Sequence, residues 1–124
     1  MIVGTGIDLV DIARLEEQLK LDAFKRKVFS EREISDCESH ATSAERYAGK
    51  FAAKEALMKA IGEGIRQAVG FTQIEVLNNE AGAPMIITNG KAKDILANLK
   101  VDKVHVSISH TGGMAIALII LEKT

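Results

Sequence analysis

Residues 42–61 read TSAERYAGKFAAKEALMKAI, and this stretch decides the fold. Thr42 and Glu45 have the spacing of a capping box, and Gly62 and Gly64 follow the last apolar residue. The pattern predicts one long helix ending near Ile61. At 100° per residue, Glu55 and Lys59 stand within about 40° of each other, one turn apart. Their sector also holds Ala48, Phe51, Ala52 and Met58, while Arg46, Lys50 and Lys54 share another side with Leu57 and Ile61. A helix that is apolar nearly all round belongs in a core or an interface. Charges on it then need partners, because an isolated buried ion is costly.

Working outward, Ile2–Leu9 alternates as a strand. Ile2, Gly4, Gly6 and Asp8 fall on one face, and Val3, Thr5, Ile7 and Leu9 on the other. Asp11 can cap a helix whose Ile12, Leu15 and Leu19 form a stripe, with Arg14 and Lys20 outward. Ser30 with Glu33 makes a second capping box, and Phe29 with Ile34 has the spacing of a hydrophobic staple. Beyond the long helix, Phe71–Leu77 reads as a strand, Asn78–Pro84 as a turn and Met85–Thr88 as the returning strand. Lys91–Leu99 is a short helix; Val104–Ser109 and Met114–Leu121 are strands joined across Thr111, Gly112 and Gly113. The expected class is α+β, a mostly antiparallel sheet packed on a long central helix, in one domain over residues 1–124.

Composition narrows the function. Hydrophobic residues are 47% and charged residues 27% of 124, the balance of an ordinary globule. Sixteen Lys and Arg against seventeen Asp and Glu, with 4% aromatics, argue against nucleic acid as a partner. Cys37 is the one cysteine, which points to a reducing cytoplasm. The acidic start lacks the form of a secretory signal, and the apolar run Met114–Leu121 is far short of a ~20-residue membrane span.

Glu55 and Lys59 admit two readings. One is an ordinary helical ion pair worth about 0.3–0.5 kcal/mol. The other is a carboxylate serving a metal, with a lysine beside it for a phosphate. Asp8 favours the second, since it ends a strand face carrying two glycines, where a ligand or another backbone can come close. Two carboxylates with lysines around them suit Mg²⁺, which takes few protein ligands and completes its shell with water and phosphate oxygens. Zinc is disfavoured, because His105 and His110 face opposite sides of a strand and Cys37 is remote. The run HVSISHTGG puts His105, Ser107 and Ser109 on one face and brings His110 to a glycine-rich turn. That is a phosphate-binding surface or, equally, the solvated side of a strand.

Taken together, GTGIDLVDIARLEE, FSEREI, GKFAAKEALMKAIGEGI, NEAGAPMI and HVSISHTGGMAIA resemble the holo-[acyl-carrier-protein] synthase family of short bacterial 4′-phosphopantetheinyl transferases. The likeness spans the chain in order, and the pairing of Gly-Ile-Asp at Asp8 with Phe51–Ala56 is its most specific part. It implies Mg²⁺-dependent transfer of phosphopantetheine from coenzyme A to a serine of apo acyl carrier protein. Asp8 and Glu55 match the metal carboxylates, and Lys59 matches the lysine beside the reacting phosphate. Lys50, Lys54, Gly82, Pro84, His105, Ser109 and His110 match cofactor contacts. Arg14 and the segment containing Lys20, Phe24 and Lys25 match the carrier-binding surface. The resemblance also implies a homotrimer with sites between subunits. Lys50 stands where arginine is frequent and Ser109 where threonine is. The competing classes are a coenzyme A-binding module without turnover and a structural oligomer using Glu55–Lys59 as an interface pair.

Overall fold

A computed structural model describes residues 1–62 and 69–124, so the expected helix stop at Gly64 lies outside the described residues. In chain order the elements are β1 (Ile2–Asp11), α1 (Ile12–Leu19), α2 (Asp22–Val28), α3 (Glu31–Glu38), α4 (Ser43–Ile61), a 3₁₀ turn (Phe71–Gln73), β2 (Ile74–Asn78), β3 (Pro84–Thr88), α5 (Gly90–Asn98), β4 (Lys103–Thr111) and β5 (Met114–Glu122). Two antiparallel sheets form, one in the order β1-β5-β4 and the other a β2-β3 hairpin. The α+β class with a long central helix holds.

The sidedness of β1 decides how the helix meets the sheet. Its glycine face turns inward. A Cβ on Gly6 would stand 1.8 Å from the carbonyl oxygen of Ala56, and one on Gly4 would stand 2.3 Å from that of Ala60. Only glycine lets the two backbones approach so closely. Asp8 follows on the same face, facing the same helix. On β5, the register places Leu121, Ile119 and Ala117 opposite Gly4, Gly6 and Asp8, all buried. The apolar face of β1 looks outward instead: Ile7 is 54% and Leu9 61% exposed.

Helix ends follow their capping chemistry unevenly. Asp11 accepts from the amide of Arg14 at 3.1 Å, and the Ser30–Glu33 box is complete. The box expected at Thr42 and Glu45 does not form. Thr42 has φ −95° and ψ 41° instead of the extended geometry of an N-cap, and its side chain makes no cap bond. The Phe71–Leu77 strand begins only at Ile74, since Phe71–Gln73 closes as a 3₁₀ turn. Helix α2 carries Asp22 in its first turn and Lys25, Arg26 and Lys27 in its last, but its N-cap, Leu21, offers no capping side chain. The β2-β3 turn is built by asparagines: Asn78 Nδ2 donates to Gly82 O at 2.8 Å, and Asn79 Oδ1 accepts from Ala83 N at 3.0 Å.

A fully buried ion pair ties the helices to the hairpin. Lys54 and Glu33 are both 0% exposed, with Lys54 Nζ 2.7 Å from Glu33 Oε1. The same ammonium donates to the carbonyls of Val28 at 2.7 Å and Phe71 at 3.0 Å. Glu33 in turn accepts from the amides of Ser30 and Val76. Three donors meet three acceptors, which makes a buried charge tolerable. Burial pulls the Lys54 ammonium below its ordinary range, and Glu33 opposes that pull. Lys50 Nζ donates to the carbonyl of Val76, so side chains of α3 and α4 satisfy both backbone groups of that residue.

Candidate active site

The packing of β1 on α4 creates a cleft of about 420 Å³ lined by Asp8, Asp11, Arg14, Phe51, Glu55 and Met114, among others. Asp8 arrives from the glycine face of β1 and Glu55 from α4; Arg14 overlooks the cleft from α1. Lys59, one turn beyond Glu55, reaches back to β1. Its Nζ donates to Asp8 Oδ1 at 2.9 Å and to the carbonyl of Ile7 at 3.1 Å. An ammonium has three donors, and among the described residues two of them are used. Lys59 thus makes a cross-element ion pair with Asp8. Among the described residues no group of three or more His, Cys, Asp and Glu is placed to cage a metal. The donor set is two carboxylates beside open space, which fits Mg²⁺ with its retained waters and does not fit zinc.

A second hollow, of about 250 Å³, opens between α4, the hairpin and the end of β4. It gathers four of the seven expected cofactor residues, Lys50, Gly82, Pro84 and His110, together with Glu45 and Arg46. It shares no lining residue with the carboxylate cleft. Lys50 is only 4% exposed, with Asp36 Oδ2 at 3.1 Å. Arg46 was legible only as a cation one turn before Lys50, and that spacing was the signal for it.

The other expected contacts lie elsewhere. Lys54 is corrected from cofactor contact to structural residue, since it is sealed in the core with its donors filled. His105 and Ser109 point off the outer face of the sheet, where the register sets them beside Ile120 and Ile116. His105 Nε2 lies 2.8 Å from Glu122 Oε1, and that hydrogen bond holds the Glu122 carboxyl below its usual range.

On the expected carrier surface, Arg14 is exposed, and its side chain forms no ion pair among the described residues. Lys20 pairs with Glu17 at 2.9 Å and Lys25 with Glu38 at 2.7 Å. Phe24 is half-buried, its ring 6.4 Å from that of Phe51. Cys37 is fully buried, its thiol pushed up to about 12 by that burial, which makes it unreactive.

The family model described as 4′-phosphopantetheinyl transferase superfamily matches residues 4–119. The chain belongs to that superfamily. Within it, the chain is similar to proteins named holo-[acyl-carrier-protein] synthase. The Syntrophus aciditrophicus protein is 48% identical over 124 residues, covering 98% of this chain and 97% of the relative. The Geotalea daltonii protein is 39% identical over 125 residues, covering 99% and 100%. Among solved structures, the holo-[acyl-carrier-protein] synthase of Neisseria meningitidis superposes with a TM-score of 0.88 at 31% identity, covering 99% of this chain and 100% of that one. The Bacillus anthracis synthase, solved in complex with CoA (3′,5′-ADP), gives 0.82 at 38% identity, covering 100% and 99%.

Proposed function

We propose that the chain transfers 4′-phosphopantetheine from coenzyme A to a serine of apo acyl carrier protein, releasing adenosine 3′,5′-bisphosphate. The setting we assign is fatty acid biosynthesis in the cytoplasm. The observation that carries the reading is the cleft that Asp8 and Glu55 both line, with Lys59 bonded to Asp8. It is supported by relatives that carry the synthase name over nearly their whole length.

In this reaction the serine oxygen forms a bond to the phosphorus bearing the pantetheine arm. The bond from that phosphorus to the bridging oxygen breaks, and the bisphosphate leaves. Asp8 and Glu55 would hold Mg²⁺, which supplies Lewis-acid stabilisation of charge on the diphosphate when bound. Lys59 keeps Asp8 in place with one donor and offers positive charge where the departing oxygen gains negative charge. Glu55 is our assignment for the acceptor of the serine proton. Arg14, beside the cleft and without an ion-pair partner among the described residues, meets the acidic carrier.

We further assign a homotrimer with sites between subunits. The outer sheet face supports this: Ile7, Leu9 and Leu118 stand exposed beside half-buried Ile116 and Ile120. An apolar face of that kind on a chain this small marks an interaction surface. His105 and Ser109 rise from the same face, so association would carry them to a neighbour's cleft.

Incubation with apo carrier protein, coenzyme A and Mg²⁺ tests the reading. The carrier gains the mass of one phosphopantetheine arm, and a chelator abolishes the gain. Coenzyme A binding without any gain would leave a binding module and contradict transfer.

A further inference from the structure

We infer that the first turn of α3 is a clamp that fixes the β2-β3 hairpin in place for coenzyme A, with Arg32 and Glu75 as positioning residues. The inference rests on the transfer reading above and gives the segment Phe29–Ile34, FSEREI, a role that the reaction itself does not. A two-stranded hairpin is marginal alone, so what it is fastened to decides where it stands. Among the described residues its sheet contains only β2 and β3, and no strand flanks the outer edge of β2. Side chains take that strand's place. The amide of Val76 donates to Glu33 Oε2 at 2.8 Å, and its carbonyl accepts from Lys50 Nζ. One residue earlier, Glu75 is gripped from the same turn of α3. Ser30 Oγ donates to Glu75 Oε2 at 2.6 Å. Arg32 meets both carboxylate oxygens, Nη2 donating to Oε1 at 2.7 Å and Nε to Oε2 at 3.2 Å. These bonds, that from Arg32 foremost, hold the Glu75 carboxyl below its ordinary range.

Capping alone does not explain this arrangement. Ser30 and Glu33 close their box with each other's backbone amides, and such a box needs neither an arginine between them nor a partner on β2. The clamp is additional to it. Glu75 is held by its side chain and Val76 by its backbone, and the two-pronged contact from Arg32 is directional, so β2 can neither slide along α3 nor turn away from it. What the clamp controls lies further along the hairpin. Asn78 pairs with Pro84 across the two strands, and Val76, Asn78, Gly82 and Pro84 form the hairpin's side of the hollow, facing Lys50 and His110. A displacement of about 1 Å in such a wall is enough to spoil the fit of a ligand. Neither Arg32 nor Glu75 lines the hollow or the carboxylate cleft, and those two share no residue. Loosening the clamp therefore weakens the hold on coenzyme A and leaves the chemistry at Asp8 and Glu55 intact once coenzyme A is bound.

Steady-state kinetics with apo carrier protein and varied coenzyme A, beside calorimetric titration of coenzyme A alone, test this on the full chain. Glu75→Ala and Arg32→Gln should each raise KM and Kd for coenzyme A about three- to tenfold and leave kcat within about twofold of wild type. Arg32→Lys keeps the charge without the fork and should recover part of the loss. The Arg32 side chain is 61% exposed, so Arg32→Gln spares the core and carries the test if Glu75→Ala does not fold. Ile119→Val, in the core of β5, is the control for lost stability; it should lower the melting temperature with KM unchanged. Hydrogen exchange gives a readout without ligand: the Val76 amide should exchange faster in the clamp variants while the middle of α4 keeps its protection. Unchanged Kd and KM in Arg32→Gln, an equal rise of KM in Ile119→Val, or a fall in kcat at constant KM would each overturn the clamp. A wild-type chain that binds coenzyme A yet modifies no carrier would sink the transfer reading, and Kd with hydrogen exchange would still decide the clamp.

Discussion

A Cβ on Gly6 would lie 1.8 Å from the carbonyl oxygen of Ala56. The closeness of strand and helix at this point carries Asp8, two residues along β1, to the cleft that Glu55 lines from the residue before Ala56. Gly6→Ala therefore forces two backbones apart. Destabilisation on the order of 3 kcal/mol is expected in urea unfolding, together with loss of transfer in the fraction that folds. A variant as stable and active as wild type would show that the close approach is dispensable.

Lys54 separates structural from cofactor roles. Lys54→Met leaves Glu33 charged and sealed, at a cost of about 3–5 kcal/mol. Adding Glu33→Gln should restore part of the loss, because an uncharged amide is cheaper to bury. Chemical denaturation measures both. Coenzyme A affinity of the folded single variant should stay within a factor of a few of wild type, and a large loss of affinity at preserved stability would return Lys54 to the binding site.

The structure sets Asp8 and Glu55 on one cleft, sets Lys50, Gly82, Pro84 and His110 on another hollow, and seals Lys54 away from both. Ser30 with Glu33, Asp11 ahead of α1, and the Asn78–Pro84 turn were legible because capping and turn chemistry act over three or four residues. Asp8 was legible because a carboxylate after two glycines on one strand face is unusual. Lys54 was not, since its partners come from Val28, Glu33 and Phe71 on three other segments. The outward turn of Ile7 and Leu9 was hidden for the same reason. Alternation separates the two faces of a strand but does not say which one a glycine-tolerant helix will cover.

Leu118 sits in the middle of the outer sheet face, between Ile7 on β1 and Ser107 on β4. Leu118→Glu should shift sedimentation from a trimer to a monomer, because a desolvated carboxylate opposes burial of the face. Transfer should fall with it, since the proposed assembly sets the sites between subunits. A wild-type chain that sediments as a monomer would refute the assembly.

Arg14 is exposed and lines the carboxylate cleft. Arg14→Ala should weaken carrier binding roughly tenfold at low salt and much less at high salt, since an exposed charge is screened. Coenzyme A affinity should not move. Carrier affinity unchanged at low ionic strength would remove Arg14 from that surface.

The central claim is that Asp8 and Glu55 act together in one cleft to move phosphopantetheine. Glu55→Gln keeps the size of the side chain and removes its charge. Intact-mass measurement of carrier protein after incubation with this variant, coenzyme A and Mg²⁺ should show the apo form unchanged, with α-helical content and melting temperature near wild type. Holo-carrier formed at a near-wild-type rate would contradict the account.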